Sequence, residues 1–169
     1  MAGDVRGLAL FNHAVDSKLR GCELVKLRVT DVTHGSTVMR RATVMQQKTH
    51  QRVQFEITED TREAVASWID KARLRPLDYL FASRVRGSPH ISTRQYARIV
   101  HHWIDLVALD ASDYGTYSLR RTKASLIYKR TKNLRAVQLL LGHTKLESTV
   151  RYLGVEVDDA LELAEQTEV

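Results

Sequence analysis

A histidine and a tyrosine in the C-terminal quarter of the chain have the types and spacing of a reactive pair. His143 follows Gly142, and Tyr152 lies nine residues further along the chain. About twenty residues upstream of the histidine, Arg120 lies near the start of a predicted helix. A phenol oxygen can act as a nucleophile, and guanidinium groups bind pairs of phosphate oxygens. The pattern therefore predicts that Tyr152 attacks a phosphate held in a pocket built by its neighbours.

Charge is unevenly distributed along the 169 residues, whose net charge is +6. Residues 1–153 carry 26 Lys and Arg against 14 Asp and Glu, a net charge of +12. Residues 154–169 carry six acids and neither Lys nor Arg. A basic body indicates a polyanionic partner, and an acidic tail indicates a separate role. Charge that serves only solubility is the alternative explanation.

The composition also argues against several classes of protein. Seven histidines and one cysteine show no metal-ligand spacing, so neither a metal nor another cofactor is expected. Cys22 cannot form an internal disulfide and is predicted to be a small core residue. No run of about 18 apolar residues is present, so the sequence predicts no membrane partner and a cytoplasmic protein.

Helical spacing of apolar residues predicts most of the secondary structure. The strongest pattern follows the N-cap residue Ser92 and ends near Leu109, with apolar side chains at Tyr96, Ile99, Val100, Trp103 and Val107. Asp4 and Asn133 are predicted to cap two other helices, and either Thr58 or Asp60 a further one. Roughly eight helices are expected, over residues 4–15, 22–27, 60–72, 92–109, 118–129, 133–141, 146–153 and the tail.

Alternation of apolar and polar residues between positions 38 and 57 predicts strands instead. Val53, Phe55 and Ile57 alternate cleanly with polar neighbours, whereas residues 38–44 alternate less regularly. Residues 47–51 are polar and are predicted to form the tip of a hairpin. The expected fold class is therefore α+β and mainly α, a helical domain with a small three-stranded antiparallel sheet.

With these elements in place, the chain resembles the catalytic domain of the tyrosine recombinases, the phage-integrase family. The resemblance covers essentially the whole chain and depends on residues in the family's order. Arg20 opens the short helix 21–27, and Lys48 lies on the strand hairpin. The remaining matches are Tyr117-Ser118-Leu119-Arg120 in the place of His-x-Leu-Arg, Leu141-Gly142-His143 as Leu-Gly-His, and Tyr152 as the nucleophile.

The resemblance implies a catalytic set of six residues: Arg20, Lys48, Tyr117, Arg120, His143 and Tyr152. In the family, a tyrosine oxygen attacks a DNA phosphodiester and leaves a 3′-phosphotyrosine bond and a free 5′-hydroxyl, so the strand is rejoined without ATP. The two arginines and the histidine would bind the phosphate, and Lys48 would protonate the leaving oxygen. Four other basic residues compete with Lys48 and are separated from it only by the family pattern: Lys18, Arg40, Arg41 and Arg52.

Tyr117 departs from the family, which usually has histidine at this place. A phenol accepts a proton less readily than imidazole near neutral pH, although its hydroxyl can still bind phosphate or act through water. The substitution leaves the phosphate grip intact and weakens the proton acceptor for Tyr152. The sequence therefore predicts slow cleavage.

Further basic residues are predicted to contact the DNA backbone. Arg121 is interpreted as a structural or backbone-binding neighbour of Arg120. A cluster across two helices is predicted to form a DNA-backbone track, and its members are Lys123, Lys129, Arg130, Lys132 and Arg135. A solvated face is the alternative. No base-reading motif is present.

The length fits a single catalytic domain over residues 1–169, without the N-terminal core-binding domain that the family normally carries. The acidic amphipathic tail, residues 155–169, resembles the segment that docks on a neighbouring protomer, and packing on its own domain is the alternative. A bacterial or phage-encoded protein that acts on double-stranded DNA at the nucleoid is expected. A non-catalytic DNA-binding relative and a type IB topoisomerase-like enzyme are the other candidate functions.

Overall fold

The computed structural model describes residues 3–154 and residue 165, and over this part the predicted mainly helical fold is confirmed. The predicted tail helix lies outside the described residues except for Glu165. Residues 29–32, which the sequence pattern left unassigned, form a short helix. The described helices are α1 (Val5–Ser17), α2 (Gly21–Leu24), α3 (Val29–Val32), α4 (Glu59–Ala72), α5 (Thr93–Leu106), α6 (Thr116–Thr131), α7 (Leu134–Leu141) and α8 (Leu146–Leu153).

The β structure is antiparallel as predicted, but in the described residues it forms two separate pairs of strands rather than one three-stranded sheet. The strands are β1 (Thr33–His34), β2 (Thr37–Val38), β3 (Arg41–Met45) and β4 (Arg52–Glu56), and they pair as β1 with β2 and β3 with β4. The Met39 amide turns back to the Val32 carbonyl at 2.9 Å, whereas the Arg40 carbonyl accepts from Ile57 at 2.8 Å. The chain therefore changes partner between β2 and β3, which ends the first pair.

Side-chain caps begin several helices where the sequence predicts them. The side chains of Asp4, Ser92 and Asn133 accept hydrogen bonds from the backbone amides of Gly7, Gln95 and Ala136. Each cap pairs a donor that helix geometry leaves without an intrahelical partner. Helix α4 begins after Thr58, but the hydroxyl of Thr58 donates to Asp16 instead of capping the helix.

Two clusters of buried apolar side chains hold these elements together. The larger cluster lies among α1, α2, the β3–β4 hairpin, α4 and α5, and it includes Leu10, Phe55 and Val100. The smaller cluster joins α6, α7 and α8 through Ala124, Val137, Leu141 and Leu153. Helix α1 packs against both α4 and α6, so it fixes the second cluster relative to the first.

Partly buried ion pairs connect the two clusters at the end of α1. The ammonium group of Lys18, whose side chain is fully buried, donates to both carboxylate oxygens of Glu56 at 3.0 and 3.1 Å. Lys123 Nζ on α6 lies 2.6 Å from Asp16 Oδ1 and 2.8 Å from Glu56 Oε1. Lys123 therefore has two carboxylate partners within the protein, and its role as a DNA contact stays a prediction.

Candidate active site

Arg20 is held at the start of α2 by the carboxylate of Glu23. One Glu23 oxygen accepts from the Arg20 backbone amide at 2.9 Å, and the other accepts from Arg20 Nη1 at 3.2 Å. Glu23 is itself buried. A carboxylate that binds both the backbone and the side chain of one residue limits the directions in which that guanidinium group can point.

Arg120 is anchored by the end of another helix. It lies on α6, is only 3% exposed, and donates from Nη2 to the carbonyl oxygen of Leu141 at 2.9 Å. Leu141 is the last residue of α7, where carbonyl groups have no intrahelical partner. The same oxygen also accepts from Nε2 of Gln46 at 3.0 Å. One main-chain oxygen thus fixes an arginine of α6 and an amide of the β3–β4 hairpin.

Gly142 ends α7, and both its backbone conformation and the space around it favour glycine. Its φ is +65°, in the left-handed region that side chains disfavour. A Cβ at this position would clash with a methyl group of Val53 and lie 2.7 Å from Gln46 Oε1. Glycine therefore lets the hairpin pack directly on the helix end.

Four of the six predicted catalytic residues line one cleft: Arg20, Lys48, Tyr117 and Arg120. Lys48 is exposed at the hairpin tip, and Tyr117 is 69% exposed in the first turn of α6. Cys22 is half-buried and lines the same cleft, so its prediction as a core residue is corrected. Cationic side chains from three separate elements line the cleft, with Lys48 exposed and Arg120 buried, and this charge suits a phosphate ligand.

Tyr152 lies beside this cleft with its hydroxyl buried. The ring of Tyr152 lies over the guanidinium of Arg120 at 5.6 Å, and its oxygen has no hydrogen-bond partner among the described residues. Burial raises the pKa of Tyr152, and the charges of Arg120 and Arg121 only partly oppose this effect. In the position observed, the phenol is protonated at neutral pH.

His143 packs edge-on against Tyr152, with the ring centroids 5.5 Å apart. Its Nδ1 lies 3.1 Å from the hydroxyl of Thr149. Burial, together with the positive charges of Arg120 and Arg20, lowers the pKa of His143 to about 4. The imidazole is therefore neutral at pH 7, can donate one hydrogen bond, and is only a weak proton acceptor.

Comparison with known proteins identifies the family of the chain. The model of the phage integrase family matches residues 2–158. The chain belongs to the phage integrase family. Curated relatives of this family member include the probable integrase/recombinase YoeC of Bacillus subtilis, 29% identical over 90% of this chain and 80% of the relative. The tyrosine recombinase XerC of Rhodospirillum centenum is 30% identical over 95% of this chain and 46% of the relative.

Solved structures confirm the catalytic-domain fold of the family. The XerA recombinase superposes with a TM-score of 0.77 at 20% identity, over 98% of this chain and 57% of that protein. The XerH site-specific recombinase bound to its difH substrate has a TM-score of 0.74 at 20% identity, over 95% of this chain and 46% of that protein. The chain thus spans about half the length of XerH and of XerC.

The remaining predicted DNA contacts of this integrase-family chain occupy varied environments. Lys129 and Arg130 are exposed in the last turn of α6. Lys132 Nζ lies 5.7 Å from the ring centre of Tyr128. Two others have intramolecular partners: Arg121 donates to the Leu153 carbonyl at the end of α8, and Arg135 donates to Gln138.

Sequence reasoning missed two residues of the site, Glu23 and Gln46. Glu23 follows Arg20 at the capping-box spacing, a local signal that could have identified it. Gln46 precedes Lys48 by two residues, but its partners lie 26 and 95 positions away in the chain. No local pattern indicates contacts at that separation.

Proposed function

We propose that this chain is the DNA-cleaving and rejoining domain of a site-specific recombinase, acting on double-stranded DNA through a 3′-phosphotyrosine intermediate. One observation carries the proposal. Arg20 and Arg120 line one cleft. Arg20 donates to Gln46, and Arg120 donates to the Leu141 carbonyl, which also accepts from Gln46. The ring of Tyr152 lies over Arg120. Two anchored guanidinium groups beside a phenol fit transfer of a phosphodiester from a 5′-oxygen to tyrosine.

In this reaction the Tyr152 oxygen forms a bond to phosphorus as the bond to the 5′-oxygen breaks. Negative charge grows on the non-bridging oxygens, which Arg20 and Arg120 would bind in the transition state. By analogy with oxyanion donors, each of these interactions would lower the barrier by about 2–4 kcal/mol. Lys48, at the exposed hairpin tip of the cleft, would give the leaving 5′-oxygen its proton.

Two changes must precede attack. The buried hydroxyl of Tyr152 must turn from its packed position toward the scissile phosphate, and the same movement would uncover the guanidinium of Arg120. The phenol must also lose its proton. His143 is neutral and packs against Tyr152, but burial and two arginines lower its pKa to about 4, so its imidazole is a weak proton acceptor. The proton acceptor for Tyr152 therefore stays the weak point of the site, as Tyr117 in place of the family's histidine predicts.

The direct test is capture of the covalent adduct. A pool of nicked duplexes with randomised sequence around the nick would be incubated with the protein, and adducts would be resolved on denaturing gels. We expect an adduct with wild type and with Tyr114→Phe, a matched exposed tyrosine, and none with Tyr152→Phe. Duplex binding without any adduct would instead support the non-catalytic relative. Relaxation of supercoiled DNA without a partner site would support the topoisomerase-like enzyme.

We also propose that the acidic tail, residues 155–169, promotes self-association on DNA, because its charge complements the basic body. Deletion of residues 155–169 should lower the oligomeric state on DNA measured by light scattering. An unchanged state would favour packing of the tail on its own domain.

A cytoplasmic protein acting at the nucleoid fits bacterial relatives such as YoeC. None of the described helices is long and apolar enough to cross a membrane.

A further inference from the structure

We propose that Gln46 is a positioning residue that sets Arg20, Arg120 and the hairpin tip bearing Lys48 in one fixed arrangement. The inference rests on the proposed function, because it concerns the geometry of the same phosphate site. Within the described residues Gln46 makes no hydrogen bond to the Tyr152 hydroxyl and does not line the cleft, so its action would be through the two arginines.

The hydrogen bonds of Gln46 carry the proposal. Its side-chain oxygen accepts from Arg20 Nη1 at 2.7 Å and from the Thr49 hydroxyl at 2.8 Å. Its side-chain nitrogen donates to the Leu141 carbonyl at 3.0 Å, the oxygen to which Arg120 donates at 2.9 Å. One amide therefore joins α2, the hairpin and the end of α7, and through the shared carbonyl it reaches α6.

The backbone of Gln46 holds the hairpin tip as well. Its amide donates to the Gln51 carbonyl, and its carbonyl accepts from the His50 amide, both at 2.9 Å. Lys48 lies between these two closures of the turn. A shift of Gln46 would therefore move the proposed general acid relative to the phosphate-binding arginines.

Burial of the polar Gln46 side chain would cost free energy if its amide group had no hydrogen-bond partners. Gln46 has 0% exposure, and a buried amide without partners is strongly disfavoured relative to an apolar side chain. Both ends of the amide are paired, and each of its side-chain partners belongs to the site or to the turn that bears Lys48. A methionine would fill the same space, but it could neither accept from Arg20 nor donate to Leu141. Arg20 would then keep its bonds to Glu23 but lose the bond that holds its guanidinium group against the hairpin.

Gln46→Met tests the proposal against Gln47→Met, a matched control. Gln47 is the next residue on the same hairpin, but its side chain is exposed and accepts only from Lys26 in the described structure. We expect Gln46→Met to lower the single-turnover cleavage rate by about 100-fold, as small displacements of catalytic groups do. DNA affinity should stay unchanged, and Gln47→Met should cleave like wild type. Gln46→Glu, which keeps an acceptor for Arg20 but removes the donor to Leu141, should fall in between.

A methylphosphonate at the scissile position separates positioning from general structural damage. This linkage lacks one negative charge, so its transition state depends less on both arginines. The deficit of Gln46→Met should shrink to a few-fold on this substrate, whereas damage to the fold would leave the deficit unchanged. Equal rates for Gln46→Met and wild type on phosphodiester, or an unchanged deficit on methylphosphonate, would overturn the proposal.

Failure of the proposed function has a different signature. If wild type forms no Tyr152-dependent adduct, the recombinase proposal fails, and crystal structures of wild type and of Gln46→Met or Gln46→Glu then test the positioning. Displaced guanidinium groups of Arg20 and Arg120 in the variant would support the inference. Guanidinium groups in unchanged positions would refute it.

Discussion

Tyr117 lies in the first turn of α6 on the wall of the cleft that contains Arg20 and Lys48. Its exposed ring carries no core packing, so its replacement should change chemistry with little effect on stability. His143, by contrast, is packed against Tyr152 and held neutral. At the scale of single residues, the two side chains differ in access: Tyr117 is exposed to solvent, whereas His143 packs against Tyr152.

Tyr117→His should raise the rate of DNA cleavage at least about tenfold, because imidazole is a far better proton acceptor than a phenol near pH 7. The rate would be measured in single turnover on a nicked substrate between pH 6 and 9. Tyr114→His, in the exposed turn before α6, is the control for a gained histidine. An unchanged rate in Tyr117→His would mean that the proton acceptor at position 117 does not limit the reaction.

At the scale of elements, helix ends were predicted better than long-range pairing. Asp4, Ser92 and Asn133 cap their helices as predicted, because a cap depends on residues three positions apart. Helix α3 was missed because four residues are too few for helical periodicity. The interactions that build the site are of another kind, since Gln46 and Leu141 meet only through the fold.

The end of α7 provides a test at this scale. Gly142→Ala should lower the free energy of unfolding by about 2–4 kcal/mol, from a strained φ and from overpacking against Val53 and Gln46. Gly35→Ala is the matched control, with a φ of +59° and open space around its Cβ. It should cost only about 1 kcal/mol. Urea denaturation measures both, and equal decreases would show that Gly142 is needed for its backbone angle alone.

At the scale of the whole molecule, buried histidine makes stability depend on pH. His13 is fully buried, and neither ring nitrogen has a hydrogen-bond partner within the described residues. Burial lowers the pKa of His13 to about 4, against a weaker opposing effect of Asp16. In the unfolded chain a histidine has a pKa of about 6.5, so between about pH 4 and 6.5 the unfolded state binds more protons than the folded state. The free energy of unfolding therefore falls as pH decreases from about 6.5 to 4.

Urea midpoints measured at intervals from pH 7.5 to 4.5 should show this decline, with His13 contributing up to about 3 kcal/mol at its limit. His13→Leu should flatten the profile, and the remaining slope would come from His143, whose pKa is lowered in the same direction. Burial raises the pKa of Asp16, but hydrogen bonds from Lys123, Thr58 and Thr61 outweigh it and hold it at about 2, below this range. An identical slope in His13→Leu would exclude His13 as the source.

The exposed end of α6 should contribute to DNA affinity through charge alone. The double variant Lys129→Gln and Arg130→Gln should reduce the slope of log affinity against log salt by about 0.9 for each phosphate that is no longer neutralised. Lys71→Gln, an exposed lysine on α4, serves as the control. Fluorescence anisotropy with duplex DNA, between about 50 and 200 mM salt, measures the slope. A slope equal to that of wild type would indicate that these residues form a solvated face and do not contact the DNA backbone.

The acceptor shared by Arg120 and Gln46 is the main-chain carbonyl oxygen of Leu141 and not a side-chain atom. Because that oxygen belongs to the main chain, every amino acid supplies it, and replacement of Leu141 by another apolar residue leaves the acceptor for Arg120 and Gln46 in place. A saturation screen for activity should therefore tolerate apolar variation at position 141 and reject nearly all variation at positions 46, 120 and 142. Such a screen would not identify the Leu141 carbonyl directly. Its importance would be visible only because positions 46, 120 and 142 do not tolerate substitution.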